Sequence, residues 1–295
     1  MNRVLVTGAG GFIGRQVVSE LLRRGEEVHA ADLASSPSSD AVCHRVDLLD
    51  ESVADELIAR LRPTHLVHLA WYAEHGKFWN SPLNLDWVAA SEKLFRSFAA
   101  HSGQRAVFAG TCAEYDWTHS HLSEDATPSN PATLYGICKN NLRQNVQAIA
   151  RQSQLSVAWA RIFFPYGPGE DARRFIPSVL NALLGKRPAI VRNGSHVRDF
   201  LHVQDVARAF AAILHCPVQG IINVASGEPA KLGDIAKILA ELAGAESLLE
   251  IQQSPATPDN PAVLTADVAK LRSIGFVPGY TLRQGLATLI NAIAC

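Results

Sequence analysis

The chain has 295 residues, 27 lysines and arginines against 28 aspartates and glutamates, and 47% hydrophobic content. It is long enough for a sizeable core, as two domains or one domain with a cap, and has no charge excess to suggest nucleic acid or an anionic membrane as partner. No apolar run reaches the ~20 residues of a bilayer span, Met1-Asn-Arg leads straight into an apolar run, and five scattered cysteines (Cys43, Cys112, Cys138, Cys216, Cys295) lack metal-ligand spacing, so the expectation is a cytoplasmic protein with reduced thiols, no signal peptide and no metal.

Residues 3–7 (Arg-Val-Leu-Val-Thr) form a short β-branched run, and Gly8-Ala-Gly-Gly11-Phe12-Ile13-Gly14 follows at once. From residue 15 to 24, Val17, Val18, Leu21 and Leu22 recur at helical spacing. Strand, glycine turn and helix in that order are the context of a dinucleotide fingerprint: glycines let backbone approach a pyrophosphate, whose charge sits at the helix N-terminus. A second strand over 27–31 runs into Asp32, placed to accept the adenosine ribose hydroxyls. A carboxylate there repels a 2′-phosphate, and no arginine or lysine follows before Arg45, so NAD(H) is expected rather than NADP(H).

The Ser/Pro-rich stretch 34–40 reads as a flexible loop. Strands are expected at 41–46, 65–70, 104–110 and 156–164, with helices at 52–61, 84–100 and 134–152 between them. This alternation predicts an α/β fold built on a doubly wound parallel sheet, with ligands beyond the carboxyl ends of the strands. Asp47 and Leu48 follow the third strand on the adenine side, and Leu69, Ala70 and Trp71 close the fourth under the nicotinamide-side ribose. The aromatic residues Trp71, Tyr72, Phe78, Trp79 and Trp87 fall near the expected cleft, where they are candidates to pack on a sugar face; core packing is the simpler reading for most of them, with Trp71 kept as site-lining.

Thr111 ends the fifth strand, and Tyr135-Gly-Ile-Cys-Lys139 lies on the next helix. Residues four apart on a helix project from one face. A phenol titrates near ~10, and a neighbouring ammonium favours the phenolate, so Tyr135 with Lys139 is a device for moving a proton on and off a hydroxyl or carbonyl. Thr111 is placed to hydrogen-bond the same oxygen. Beyond residue 164 the pattern changes. Pro165-Tyr-Gly-Pro-Gly169 breaks it, helices are expected at 175–184, 232–243 and 282–293, and residues 219–225 read as a strand. This back half is too short for an independent α/β domain and is expected to cap the cleft.

Together these residues resemble the extended short-chain dehydrogenase/reductases that act on nucleotide sugars. The motifs are Thr7-Gly-Ala-Gly-Gly-Phe-Ile-Gly14, Thr111 with Tyr135 and Lys139, Arg161 with Tyr166-Gly-Pro168, Arg198-Asp-Phe-Leu-His-Val-Gln-Asp205, Asn223-Val-Ala-Ser-Gly227 and Asp267-Val-Ala-Lys270. The resemblance implies a Rossmann domain over 1–167 with a returning segment at about 196–225, and a substrate-binding cap from 168–195 and 226–295. It implies hydride exchange between NAD(H) and a sugar carbon, commonly C4, with Tyr135 as acid/base, Lys139 lowering its pKa and holding the ribose, and Thr111 orienting the sugar. Phe163 joins the cofactor residues. Cys112, Glu114 and Phe164 join the substrate residues, together with Arg198 as the planar partner of the diphosphate or, alternatively, in a salt bridge with Asp199 or Asp205. A homodimer through the helices at 84–100 and 134–152 is also implied.

Family dehydratases carry an Asp-Glu pair directly after the threonine, where this chain has Cys112 and Ala113. Glu114-Tyr115 is similar instead to the Ser-Ser-x-Glu-Tyr-Gly form of 4-keto-6-deoxysugar reductases, although Glu114 reads equally as a structural acceptor. The 4-epimerases usually have asparagine in place of Phe164 and a basic residue near 255–260, where this chain has neither. Reduction of a nucleotide-linked 4-keto-6-deoxyhexose is placed first and 4-epimerisation with retained NAD second. An atypical dehydratase using Glu114 and Cys112, and a non-catalytic dinucleotide-binding regulator, stay open.

Overall fold

The computed structural model describes residues 2–33, 40–50, 52–101 and 103–294; most of the 34–40 loop lies outside them. Among the described residues, strands β1 (Arg3–Thr7), β2 (Glu27–Asp32), β3 (Val42–Arg45), β4 (His65–His68) and β5 (Arg105–Thr111) build one sheet with β7 (Ser156–Ile162) and β12 (Gly220–Val224). The order is β12-β7-β5-β4-β1-β2-β3, every neighbouring pair parallel. Val4, Leu5 and Val6 are fully buried on both faces of β1. That explains an unbroken apolar strand, since a central parallel strand is covered by helices above and below.

Helices α1 (Phe12–Arg23) and α6 (Val203–Leu214) pack together, their Val17, Val18, Leu21, Val206 and Phe210 closing one core. Helices α2 (Val53–Leu61), α3 (Leu83–Ala100) and α4 (Leu134–Ser153) pack in sequence, with Leu57, Phe95, Phe98, Leu142 and Val146 in a second core. A third cluster joins Tyr166 to α5 (Phe175–Leu184), α7 (Leu232–Ala243) and α9 (Leu282–Ala294) through Ile176, Leu180, Ile235, Leu239 and Leu286.

The segment expected as one strand over 156–164 is divided. β7 ends at Ile162, and β8 (Phe164–Tyr166) pairs in parallel with β11 (Phe200–His202) as a separate two-stranded sheet. The partner strand lies far along the chain, so local periodicity carries no trace of the break. A four-stranded sheet joins β13 (Ala230–Lys231), β10 (Val197–Arg198), β15 (Val263–Ala266) and β6 (His121–Leu122). The loop after β5 is therefore stitched to the back half of the chain. β9 (Ala189–Val191) pairs with β14 (Leu249–Ile251), and α8 (Ala269–Ser273) follows β15. No helix among the described residues is long and apolar enough to cross a membrane.

His68, at the end of β4, is 2% exposed and bridges two elements. Its Nδ1 lies 2.7 Å from Thr7 Oγ1 on β1, and its Nε2 lies 2.9 Å from Ser91 Oγ on α3. Burial, helped by the charge of Lys139, pushes its pKa down to about 3. An unfolded histidine titrates near ~6.5. Between those values the unfolded chain binds the extra proton, so stability falls as pH drops from 6.5 toward 3. His68→Asn should cost about 1–3 kcal/mol at pH 7 through its disturbed buried hydrogen bonds, with the gap from the parent narrowing at pH 5. Urea unfolding of both proteins at the two pH values measures this; an equal or wider gap at pH 5 excludes the histidine as a source of acid sensitivity.

Candidate active site

The turn between β1 and α1 forms one wall of a crevice at the carboxyl ends of the strands. Gly8 has φ +68°, and a Cβ there would stand 2.6 Å from the backbone nitrogen of Ala70, so neither the conformation nor the space admits a side chain. The Gly10 N–H donates to Asp32 Oδ2 at 2.9 Å, locking the turn to the end of β2. Gly11 caps α1 without a side-chain bond, and the first helical turn holds no acidic residue. Its amides at Phe12, Ile13 and Gly14 are thus left to an anion at the helix N-terminus. A crevice of about 130 Å³ beside the turn is lined by Gly8, Asp32, Leu48, Ala70, Trp71 and Trp87. Leu69 precedes it, half-buried, while Asp47 stands exposed and accepts the Leu49 N–H at 3.0 Å. A close-approach glycine, a helix N-terminus open to an anion and a ribose-side carboxylate fit a dinucleotide.

Thr111 ends β5, and its Oγ1 accepts the Ala113 N–H at 3.2 Å, while Glu114 returns a carboxylate to the Thr111 N–H at 2.8 Å. This reciprocal capping box fixes the short turn over Cys112–Glu114. α4 opens with Thr133 accepting the Gly136 N–H. A Cβ on Gly136 would meet the Ala113 carbonyl oxygen at 2.3 Å, so its glycine lets the helix dock directly on the turn behind Thr111. Tyr135 and Lys139 follow on that docked first portion.

Lys139 is 3% exposed. Its Nζ donates to the Ala109 carbonyl at 2.9 Å and lies 3.8 Å from the centre of the Trp71 ring. Burial pulls its pKa down to about 7, against the raising influence of Glu114. Tyr135 is half-buried, and burial pushes its phenol above the usual range while a hydrogen bond with Thr111 pulls the other way. Its ring is walled by Phe78 (4.9 Å between centroids), Trp79 (5.9 Å) and Trp71 (6.4 Å), near edge-to-face. Buried Asn84 holds this aromatic segment in place, accepting from Trp71 Nε1 at 2.8 Å and donating to the Phe78 and Ser81 carbonyls. Phe78 and Trp79, read from sequence as core, therefore stand against the tyrosine. Their spacing carries no helical or strand period that would reveal it.

Next to this trio lies a cleft of about 820 Å³, bounded by Trp79, Ala113, Trp117, Asn130, Thr133 and Asp259. Several expected substrate contacts do not reach it. Glu114 is fully buried and engaged by Arg161 Nε (2.8 Å), Trp159 Nε1 (2.9 and 3.0 Å to its two oxygens) and Thr111 N, which corrects its assignment to substrate and supports the structural alternative. Cys112 is packed in the first core, its thiol pushed up to about 12 by burial. Phe163 is packed in that core with its N–H donated to the Val224 carbonyl.

Arg198 makes neither anticipated salt bridge. Its guanidinium donates to the carbonyls of Val197 (2.9 Å) and Pro261 (2.8 Å) and to Asn260 Oδ1 (2.6 Å), and it is 5% exposed. Asp199 accepts instead from Ser226 and Gly227, and Asp205 from Arg208, Gly279 and Tyr280. Half-buried Phe164 lies under Arg198, ring centre 5.6 Å from its Cζ.

Residues 4–225 match the model of the NAD dependent epimerase/dehydratase family. A dTDP-6-deoxy-L-talose 4-dehydrogenase (NAD(+)) from Aggregatibacter actinomycetemcomitans is 29% identical over 239 residues, which cover 78% of this chain and 86% of that one. The UDP-glucose 4-epimerase of Thermus thermophilus, solved in complex with NAD, is similar with a TM-score of 0.85 at 25% identity over 99% of both chains. MoeE5 in complex with UDP-glucuronic acid and NAD is similar with a TM-score of 0.86 at 29% identity, again over 99% of both chains.

The geometry around Glu114 generates a test that needs no ligand. Glu114→Gln leaves the fully buried Arg161 guanidinium without its counter-charge. It should cost about 3–5 kcal/mol in urea unfolding of the unliganded protein. A variant as stable as its parent would show that the buried pair does not hold the turn.

Proposed function

The chain belongs to the NAD dependent epimerase/dehydratase family, and from that premise we propose that it reduces the 4-keto group of a nucleotide-linked 6-deoxyhexose. It is an enzyme of the extended short-chain dehydrogenase/reductase type. The observation that carries the proposal is the state of the three residues after Thr111. Cys112 is core, Ala113 has no functional group, and the Glu114 carboxylate is engaged by Arg161, Trp159 and Thr111. A dehydration needs an acid for the leaving hydroxyl and a base for the neighbouring carbon. These positions offer neither, whereas reduction asks for one proton at one oxygen.

In this proposal Tyr135 supplies that proton. Its phenol, held protonated at neutral pH by burial, faces the oxygen that Thr111 positions. Lys139, fixed by Ala109 and Trp71, stands ready to favour the phenolate once the proton has left and to meet the ribose hydroxyls. Gly8, Gly11, Phe12, Ile13, Gly14, Asp32, Leu48, Ala70 and Trp71 would hold the dinucleotide, which when bound as NADH supplies the hydride. Likeness to an NAD-dependent 4-dehydrogenase of a dTDP-6-deoxysugar supports redox chemistry at C4. A second reading, 4-epimerisation with retained NAD, is supported by likeness to the Thermus epimerase.

We propose further that residues 1–167 with 196–225 form the dinucleotide domain and that 168–195 with 226–295 form the substrate cap. The proposed assembly is a homodimer through α3 and α4, which expose Leu85 (57%) and Ile137 (40%). The deciding measurement is NADH consumption by the purified protein against a panel of nucleotide-linked 4-keto-6-deoxysugars, with products identified by mass and NMR. Stoichiometric oxidation is expected. Interconversion of two ordinary nucleotide sugars without net oxidation would replace the reductase by the epimerase. Tyr135→Phe should lower turnover by about 10²–10⁴-fold while leaving NADH affinity nearly unchanged.

A further inference from the structure

The cleft beside Tyr135 has a chemical character that the catalytic trio does not require. Trp79 and Trp117 form a corner, with ring centroids 6.3 Å apart and planes at 79°. Trp79 also packs against Tyr135, so this corner begins at the reacting position. The indole N–H of Trp117 is engaged by the Cys112 carbonyl at 2.9 Å, which fixes the ring and leaves its apolar surface to the cleft. Ala113, Pro131, Ala132 and Pro258 add apolar wall.

The charged members of the lining are Asp116 and Asp259, and among the described residues no lysine, arginine or histidine lines it. Asp116 accepts from the Thr118 N–H and hydroxyl and from Asn130 Nδ2, bonds that hold its carboxyl low, at about 2. Asp259 is exposed on the opposite rim. Two buried cations are otherwise engaged, Arg161 by Glu114 and Ser129 and Arg198 by Asn260 and backbone carbonyls, while His119 acts on Asp116 from outside the lining. Arg174 acts on the field at Tyr135 but stands outside the cleft lining.

We propose that this cleft selects a sugar that is uncharged beyond its reacting carbon, laying its C–H face on Trp79 and Trp117, and that it rejects uronates. The inference rests on the nucleotide-sugar reading above and deepens it. A carboxylate on the sugar would enter a site with two fixed negative charges and, among the described residues, no cation in its lining, and would lose hydration against indole. A deoxy or hydroxymethyl group meets no such penalty and covers apolar surface that otherwise faces water.

The test is calorimetric binding to the full chain loaded with NAD, using matched pairs that differ at C6. UDP-glucose against UDP-glucuronate, dTDP-glucose against dTDP-glucuronate and GDP-mannose against GDP-mannuronate cover the nucleotide bases. The neutral member of the accepted pair should bind at least about tenfold more tightly than the uronate. Asp259→Lys should narrow that ratio by about tenfold. Trp117→Ala should raise KM for the turned-over neutral sugar far more than it lowers kcat, with Trp117→Phe restoring most of the loss. A uronate bound as tightly as its neutral partner, with the neutral sugar still accepted, overturns this inference alone. Failure of every nucleotide sugar to bind overturns the functional reading and this inference with it.

Discussion

The buried contact between Glu114 and Arg161 joins most of what the site depends on. Glu114 caps the turn that orients Thr111, and Arg161 and Trp159 reach it from the neighbouring strand β7. Arg161 also donates to Ser129 and lies 3.9 Å from the centre of the Tyr115 ring, whose hydroxyl bonds Asn223 on β12. Asn223 in turn donates to the carbonyls of Leu122 and Asp267. One polar chain thus runs from Thr111 across the end of the sheet to β6 and the residue that follows β15. A buried ion pair is a poor source of stability because desolvation offsets its attraction. Its value here is positional, since β5, β7 and the turn over Cys112–Glu114 meet on one carboxylate.

The second constraint is dryness around the tyrosine and lysine. Lys139 has a carbonyl and an aromatic face for partners, and no carboxylate among the described residues bonds it. Such an environment solvates an ammonium weakly, which is why its pKa sinks toward neutrality. The same walls raise the phenol. Trp71 ties the two effects together: it lines the dinucleotide crevice, faces Lys139 and meets the edge of Tyr135. The side chain that bounds the crevice beside the glycine turn therefore also packs on Lys139 and Tyr135.

How much of this was legible in the sequence follows from the range of each interaction. β1, the glycine turn and α1 were readable because a central strand is apolar throughout and the turn's chemistry is local. Tyr135 and Lys139 were readable because helical spacing places them together. The end of β7 at Ile162 was not, because β8 answers to β11, and nothing within ten residues reports that pairing. Glu114 was undecided for the same reason, its partners Trp159 and Arg161 lying more than forty positions away. The aromatic cluster was legible near the cleft, but the contact of Phe78 and Trp79 with Tyr135 was not, because they lie in a segment whose shape is set by Asn84, a residue with no pattern of its own.

Arg198 ties β10 to the loop over 260–261. Its donors are engaged by neutral oxygens of 197 and 260–261, on the loop that also carries Pro258 and Asp259 into the cleft. In the proposed function a diphosphate competes for those donors, and a charged acceptor forms the stronger hydrogen bond. The exchange would release Asn260 and the Pro261 carbonyl, while the Val197 N–H of β10 still holds the Ala262 carbonyl. Diphosphate recognition and the position of the Asp259 rim are then two readouts of one set of hydrogen bonds.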